Sequence, residues 1–262
     1  AVSAGGGAFI FSFNENIFMH NVTFDNNTAF TIGGGLLVHT QNSRIKLLGC
    51  LFTNNTSGDH GGGFALFQEN IDVDFTDVVV RYNMARGMGG GGYLWQRNEN
   101  VSFHNCSFGR NSAFFDGGGL YAYRFNDYIS IGQTYFYANQ AISDDGGAIF
   151  VKYANDFTYI YQCIFYENIA ESAGGAIAVR RFNVNFQVEN STLLYNYATY
   201  SGGAMFSYTQ NEEMTLLDVN FLRNGAEDGG GLFLGEDVNF TMINTKFIQN
   251  SARRGGGAVI GW

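Results

Sequence analysis

One phrase recurs along this chain: a glycine pair followed by an apolar run, as in Gly146-Gly147-Ala148-Ile149-Phe150. The pair ends at Gly7, Gly35, Gly63, Gly92, Gly119, Gly147, Gly175, Gly203, Gly231 and Gly257, in steps of 28, 28, 29, 27, 28, 28, 28, 28 and 26 residues. A second phrase, an aromatic or aliphatic residue, two residues and Asn, keeps the same beat. It runs Phe24–Asn27, Phe52–Asn55, Val80–Asn83, Phe108–Asn111, Phe136–Asn139, Phe165–Asn168, Leu193–Asn196, Phe221–Asn224 and Phe247–Asn250. Two phrases locked in phase over this many periods define a repeat protein, in which each unit buries its apolar face against the next.

Each period divides into three short strands. The first follows the glycines, as in Gly119-Leu120-Tyr121-Ala122-Tyr123; the second alternates, as in Ile71-Asp72-Val73-Asp74-Phe75; the third carries the Phe-x-x-Asn phrase. Alternation of period two marks a strand with one buried face, and three strands per turn read as a parallel β-helix. The residue two before each third-strand Phe is small or β-branched (Val22, Cys50, Val78, Cys106, Thr134, Cys163, Ser191, Val219, Thr245), which suits an inward column. The Asn closing the phrase is expected to stack its amide on the Asn of the next coil, about 4.8 Å away. The glycines mark a corner that needs positive φ or a close backbone approach.

Composition fits this reading. Gly numbers 36 and Pro 0, as expected where interior strands need every backbone N–H. A net charge of −9 argues against nucleic acid, which selects a basic stripe. No signal peptide, sorting motif or apolar run long enough for a membrane-spanning helix is present. Because the chain starts just before one glycine pair and stops just after another, it reads as a segment of a longer or end-to-end assembled chain.

The Gly-Gly-Ala-Ile-type phrase alternating with Phe-x-x-Asn resembles the repeat of the chlamydial polymorphic outer membrane proteins. Leu36, Phe64, Tyr93, Leu120 and Leu232 stand where that repeat has Ala, and no membrane-barrel segment accompanies the repeats. The resemblance covers the whole chain and implies a surface-displayed adhesin or stalk. The expectation is therefore an all-β fold: one right-handed parallel β-helix over 1–262, of about nine coils of about 28 residues with three strands each.

Candidate functional residues fall into columns. Cys50, Cys106 and Cys163 share the inward column on alternate coils, too far apart for a disulfide, and read as free buried thiols. His20, His39, His60 and His104 show no metal-ligand spacing. Acidic residues gather before the glycines (Asp59, Asp116, Asp144, Asp145, Glu171, Glu227, Asp228), and Asp116 with Asp144, at one offset in neighbouring coils, form a candidate Ca²⁺ pair against a solvated corner. Arg97, Arg124, Lys152 and Arg180 stand five residues after their glycine pairs and form a candidate column for an anion or acidic glycan. Eight Asn-x-Ser/Thr sequons are candidate glycosylation sites: Asn21, Asn105 and Asn190, which precede outward positions, and Asn26, Asn54, Asn55, Asn100 and Asn239.

Adjacent strand residues point to opposite faces, so the apolar residues after the glycines predict one outward apolar stripe. Leu94, Tyr121, Ile149, Ile177 and Met205 are its candidate interface residues, unless the corner bends the strand and turns both columns inward. The functional expectation is a non-enzymatic structural stalk or filament, extracellular or on the cell surface, without a cofactor and built by stacking and lateral self-association. A glycan-binding adhesin is the first alternative. A polysaccharide lyase or hydrolase is the second, though Arg44-Ile45-Lys46 and Asp144-Asp145 match pectin-hydrolase fragments only in the wrong order.

Overall fold

A computed structural model describes residues 4–257 and 259–261. They form a parallel β-solenoid of about nine coils with four sheets running its length. The first sheet holds ten strands, from Ala8–Ile10 to Val259–Gly261, and the other three hold nine each. The second starts at Glu15–His20, the third at Thr23–Asp25 and the fourth at Thr28–Ala29. Every strand pairs in parallel with its counterparts one coil away. No described residue is helical, and no helix is long and apolar enough to cross a membrane.

Four strands per coil, not three, is a correction with a physical reason. In seven of its nine coils the fourth strand is two residues long, as at Met84–Ala85 and Ile169–Ala170, too short to display alternation; it lengthens only at Gly225–Asp228 and Ser251–Gly255. Its signature is columnar instead: Ala29, Ser57, Ala85, Ala113, Ala141, Ala170, Ala198 and Ala226 are buried one above another. Only a small side chain fits between this narrow sheet and the core.

Inside the coil each sheet contributes its own column. The third-strand rings stack face to face, with Phe24–Phe52 at 4.6 Å, Phe108–Phe136 at 4.9 Å and Phe136–Phe165 at 5.0 Å. Each fully buried ring of this size contributes about 1.5–3 kcal/mol by leaving water. The small column between the second and third sheets is buried from Cys50 to Val219, and all three cysteines are free. The thiols of Cys106 and Cys163 are pushed up to about 12 by burial, which leaves them protonated and inert.

Two amide ladders close the corners. Along Asn27, Asn55, Asn83, Asn111, Asn139, Asn168, Asn196, Asn224 and Asn250, each Oδ1 after the first accepts both the backbone N–H and the Nδ2 of the Asn one coil before, at 2.9–3.1 Å. A second ladder, between the first and second sheets, runs from Asn14 through Asn42, Asn70, Asn98, Asn126, Asn155, Asn183 and Asn211 to Asp237. The residues flanking these corners turn in the left-handed region, among them Asn26, Asn54, Tyr82 and Arg110 with φ of 53–55°.

The register places the first strand differently from the glycine count. Gly92 lies on the strand, in the column of Phe64 and Leu120, so Gly91 is the true counterpart of Gly63 and Gly119. Ile149, Ile177 and Met205 therefore stand with Leu120 in one inward column, and Leu94 stands with Leu66 and Ala122 in another. All four face the main core at 0–1% exposure. Tyr121 points the other way, yet it too is fully buried, in a second core with Leu37, Tyr93, Phe150, Phe206 and Phe233. This second core is roofed by the segment before each glycine, which folds back over the outer face: Ile32, Met88 and Ala173 pack into it and the His60 ring stacks on Tyr93 at 4.7 Å. From Leu37 to Phe233 the expected outward apolar stripe is absent, because both faces of this strand are covered; among the described side chains of that column only Phe9, on the first coil, is exposed.

Candidate functional site

On the outer face of the first sheet the roof presses polar corner residues against aromatic ones. Beside the buried Tyr93–Tyr121–Phe150 stack (5.3 and 5.2 Å) runs a more exposed ladder, Phe11–His39–Phe67–Trp95–Tyr123, with centroids 4.6–6.0 Å apart. The Lys152 ammonium and the Arg124 guanidinium cap it over Tyr123, at 5.4 and 5.2 Å. Ring faces are covered by neighbouring rings, so this ladder presents edges to solvent and acts as a brace.

The acidic corner differs from the expected pair. Asp144 is the extra residue of the one 29-residue coil, and the structure stacks Asp116 on Asp145 instead: the Asp145 N–H donates to Asp116 Oδ1 at 3.2 Å. Asp145, 1% exposed, accepts the Ala173 N–H on Oδ1 and holds Arg180 on Oδ2 with Nε at 3.2 Å and Nη2 at 2.9 Å. Burial pushes the Asp116 carboxyl up to about 6; the Asp145 N–H opposes this and repulsion from Asp145 and Asp144 adds to it. One guanidinium already occupies Asp145, and among the described residues no group of three or more His, Cys, Asp or Glu side chains is placed to hold a metal ion. The Tyr93 and Tyr121 hydroxyls are buried without a hydrogen-bond partner. Burial is the main cause raising both phenols far above their usual range.

The four cations expected in one column occupy three. Arg124 is in register with Gln96 and Tyr153, while Lys152 and Arg180 lie one position earlier and Arg97 one later. Each has a local role: Arg97 faces Glu69 at 3.6 Å, Arg124 Nε donates to Gln96 Oε1 at 2.9 Å, Lys152 covers Tyr123, and Arg180 binds Asp145. The one-residue slip at Gly92 and the extra Asp144 created the apparent alignment.

Among the sequons, Asn55 is fully buried in the amide ladder, with its Nδ2 donating to Phe24 O and Asn83 Oδ1. Asn21, Asn26, Asn54, Asn100, Asn105, Asn190 and Asn239 are exposed and adopt φ of 46–57°. Asn tolerates the left-handed region, and each corner is followed two residues later by a strand position, where Ser or Thr is common. Corner geometry thus accounts for much of the sequon count. The amides of Asn54, Asn100 and Asn105 donate to Asp25, Asp72 and Asp77 on the preceding coil.

Compared with known protein families, curated proteins and solved structures, the chain matches none.

A basic cluster was missed by the column count. Arg81 and Arg110 both approach the exposed Tyr82, with guanidinium carbons 5.9 and 5.7 Å from the ring centroid, and Arg110 Nη1 donates to the Tyr82 hydroxyl at 3.1 Å. Their 29-residue separation joins two adjacent columns, so no single-offset count brings them together. The exposed Arg86 follows on the fourth face.

Proposed function

We propose that this solenoid is a structural rod, displayed outside the cell and elongated by stacking coil on coil, rather than an enzyme. The observation that carries this reading is the uniformity of the coil. No connection between described strands exceeds seven residues, the longest being 142–148, so no loop projects to build a cleft, and loops are where binding and catalytic groups concentrate. The stacked carboxylates Asp116 and Asp145 are buried, Asp116 accepting from the Asp145 N–H and Asp145 held by Arg180, an arrangement that holds the roof rather than one open to a polymer substrate.

Along the Asn27–Asn250 ladder each coil offers amide donors on one side and an acceptor on the other, so these coils are complementary to copies of themselves, the condition for open head-to-tail association. Lateral packing through Leu94, Ile149, Ile177 and Met205 is not part of this reading, since those side chains are core. The exposed sequon corners and the resemblance of the repeat phrase to the polymorphic outer membrane proteins support a surface location. Electron microscopy of the purified chain over a concentration series tests the reading: rods of constant width that lengthen with concentration are expected. Particles of one fixed length at every concentration would overturn end-to-end growth.

A further inference from the structure

We propose that Arg81, Arg86 and Arg110 form a docking site for an anionic polysaccharide, a chain bearing sulfate or carboxylate groups. Two guanidiniums from successive coils converge on one tyrosine ring, Tyr82, although like charges repel. None of Arg81, Arg86 and Arg110 has a carboxylate within 4.0 Å among the described residues; Arg124, Lys152, Arg181, Arg223, Lys246 and Arg253 share that state, and of those six only Arg124 and Lys152 also meet on one ring, Tyr123. In a chain of net charge −9, Arg81 and Arg110 at one corner and Arg86 beyond the two-residue strand Met84–Ala85 form a local field opposite in sign to the whole, and charge complementarity of this kind selects an anion.

The surroundings leave room for a chain rather than a point ion. On the Arg110 side the site is walled, since the Tyr137 ring fills the space that a side chain on Gly109, in register with Arg81, would take; the room lies on the Arg86 side. Beyond the corner, a notch of about 430 Å³ lies between Phe30 and Arg86, with Thr28, Thr56 and Gly58 along its wall. Its one acid, Asp59, faces His60 Nε2 at 3.3 Å. A polymer crossing the corner would set successive anionic groups against Arg110 and Arg81, then against Arg86. Planar guanidinium forks suit both sulfate and carboxylate.

The test is binding of the whole chain to a sulfated dextran oligosaccharide, a polyuronate oligosaccharide and neutral dextran, at low and high salt. Binding to either anionic probe but not to neutral dextran, weakened by salt, is expected, and the preferred probe identifies the anion. The double variant Arg81→Gln/Arg110→Gln should bind about tenfold more weakly or worse, and Arg86→Gln should lose a further few-fold. Arg223→Gln is the control, since Arg223 pairs with Tyr195 as Arg110 does with Tyr82 but without a second guanidinium on that ring. Unchanged melting of each variant shows that the fold is intact. The proposal is overturned if neutral dextran binds equally, if no anionic probe binds, if the double variant binds as wild type, or if Arg223→Gln weakens binding as much. Inorganic sulfate alone displacing the oligosaccharide at equal concentration would reduce the site to one for a simple ion and overturn the polymer assignment.

Discussion

The ring of Phe64 occupies the space that a side chain on Gly92 would need: a Cβ at Gly92 would fall 2.7 Å from Phe64 Cε1. Gly92 is therefore a packing glycine in the core column, distinct from the corner glycines such as Gly33 and Gly61, with φ of 69° and 67°. Gly92→Ala should destabilise the chain by about 1–3 kcal/mol through overpacking, read from the urea midpoint. Pairing it with Phe64→Leu should recover part of the loss; no recovery would place the clash elsewhere.

The amide ladder makes a second prediction. Asn83 Oδ1 accepts two bonds from Asn55, and its Nδ2 donates to Phe52 O and Asn111 Oδ1. Asn83→Ala strands several buried groups, each costing about 1–3 kcal/mol, so a loss of at least about 3 kcal/mol is expected. An exposed-corner change such as Asn26→Ala should cost far less. Equal losses in urea titrations would mean that the ladder is not the source of stability.

Asp116 gives the pH dependence. Its folded carboxyl lies at about 6 against an ordinary 3.8, so the folded state binds the proton more tightly than the unfolded one. The associated stability is present below about pH 4 and is lost as pH rises through 6. A shift of about two units corresponds to about 3 kcal/mol. Asp116→Asn keeps an acceptor for the Asp145 N–H, so it should match wild type near pH 4 and exceed it near pH 7.5. Parallel melting curves for the two proteins from pH 4 to 8 would contradict this.

Cys50, Cys106 and Cys163 should resist a thiol reagent in the folded protein and all three should react in denaturant, since each is 1–4% exposed. Rapid labelling of any one without denaturant would place it outside the inward column.

Much of this architecture was legible in the sequence because stacking turns periodicity into geometry. The Phe-x-x-Asn beat located the Phe stack, the cysteine column and one amide ladder. The second ladder, Asn42 to Asn211, kept an equally regular beat but sat between phrases rather than inside one. The fourth strand escaped because two residues cannot alternate, although its Ala column was present. The roof was illegible for another reason. Burial of Tyr93 and Tyr121 depends on a chain reversal at the corner, and four consecutive apolar residues fit either a roofed strand or an outward stripe. The slip at Gly92 and the extra Asp144 then moved residues by one position, which on a strand exchanges inside for outside. That single residue assigned Leu94 and Ile149 to an interface and aligned four cations that lie in three columns.

The central claim is that the coils are interchangeable units of a rod, and removing one tests it directly. Leu36 is in register with Phe64, so deleting residues 36–63 removes one whole coil (64 − 36 = 28 residues) and joins Gly35 to Phe64. The shortened chain should fold cooperatively, measure about 4.8 Å less along its axis and still grow end to end. Deleting 37–63 instead leaves Leu36 and Phe64 competing for one inward position at the start of a single strand and should destabilise the shortened chain relative to the in-register deletion. If the in-register deletion unfolds the chain, or folds but no longer associates, the coils are not interchangeable and the rod account is wrong.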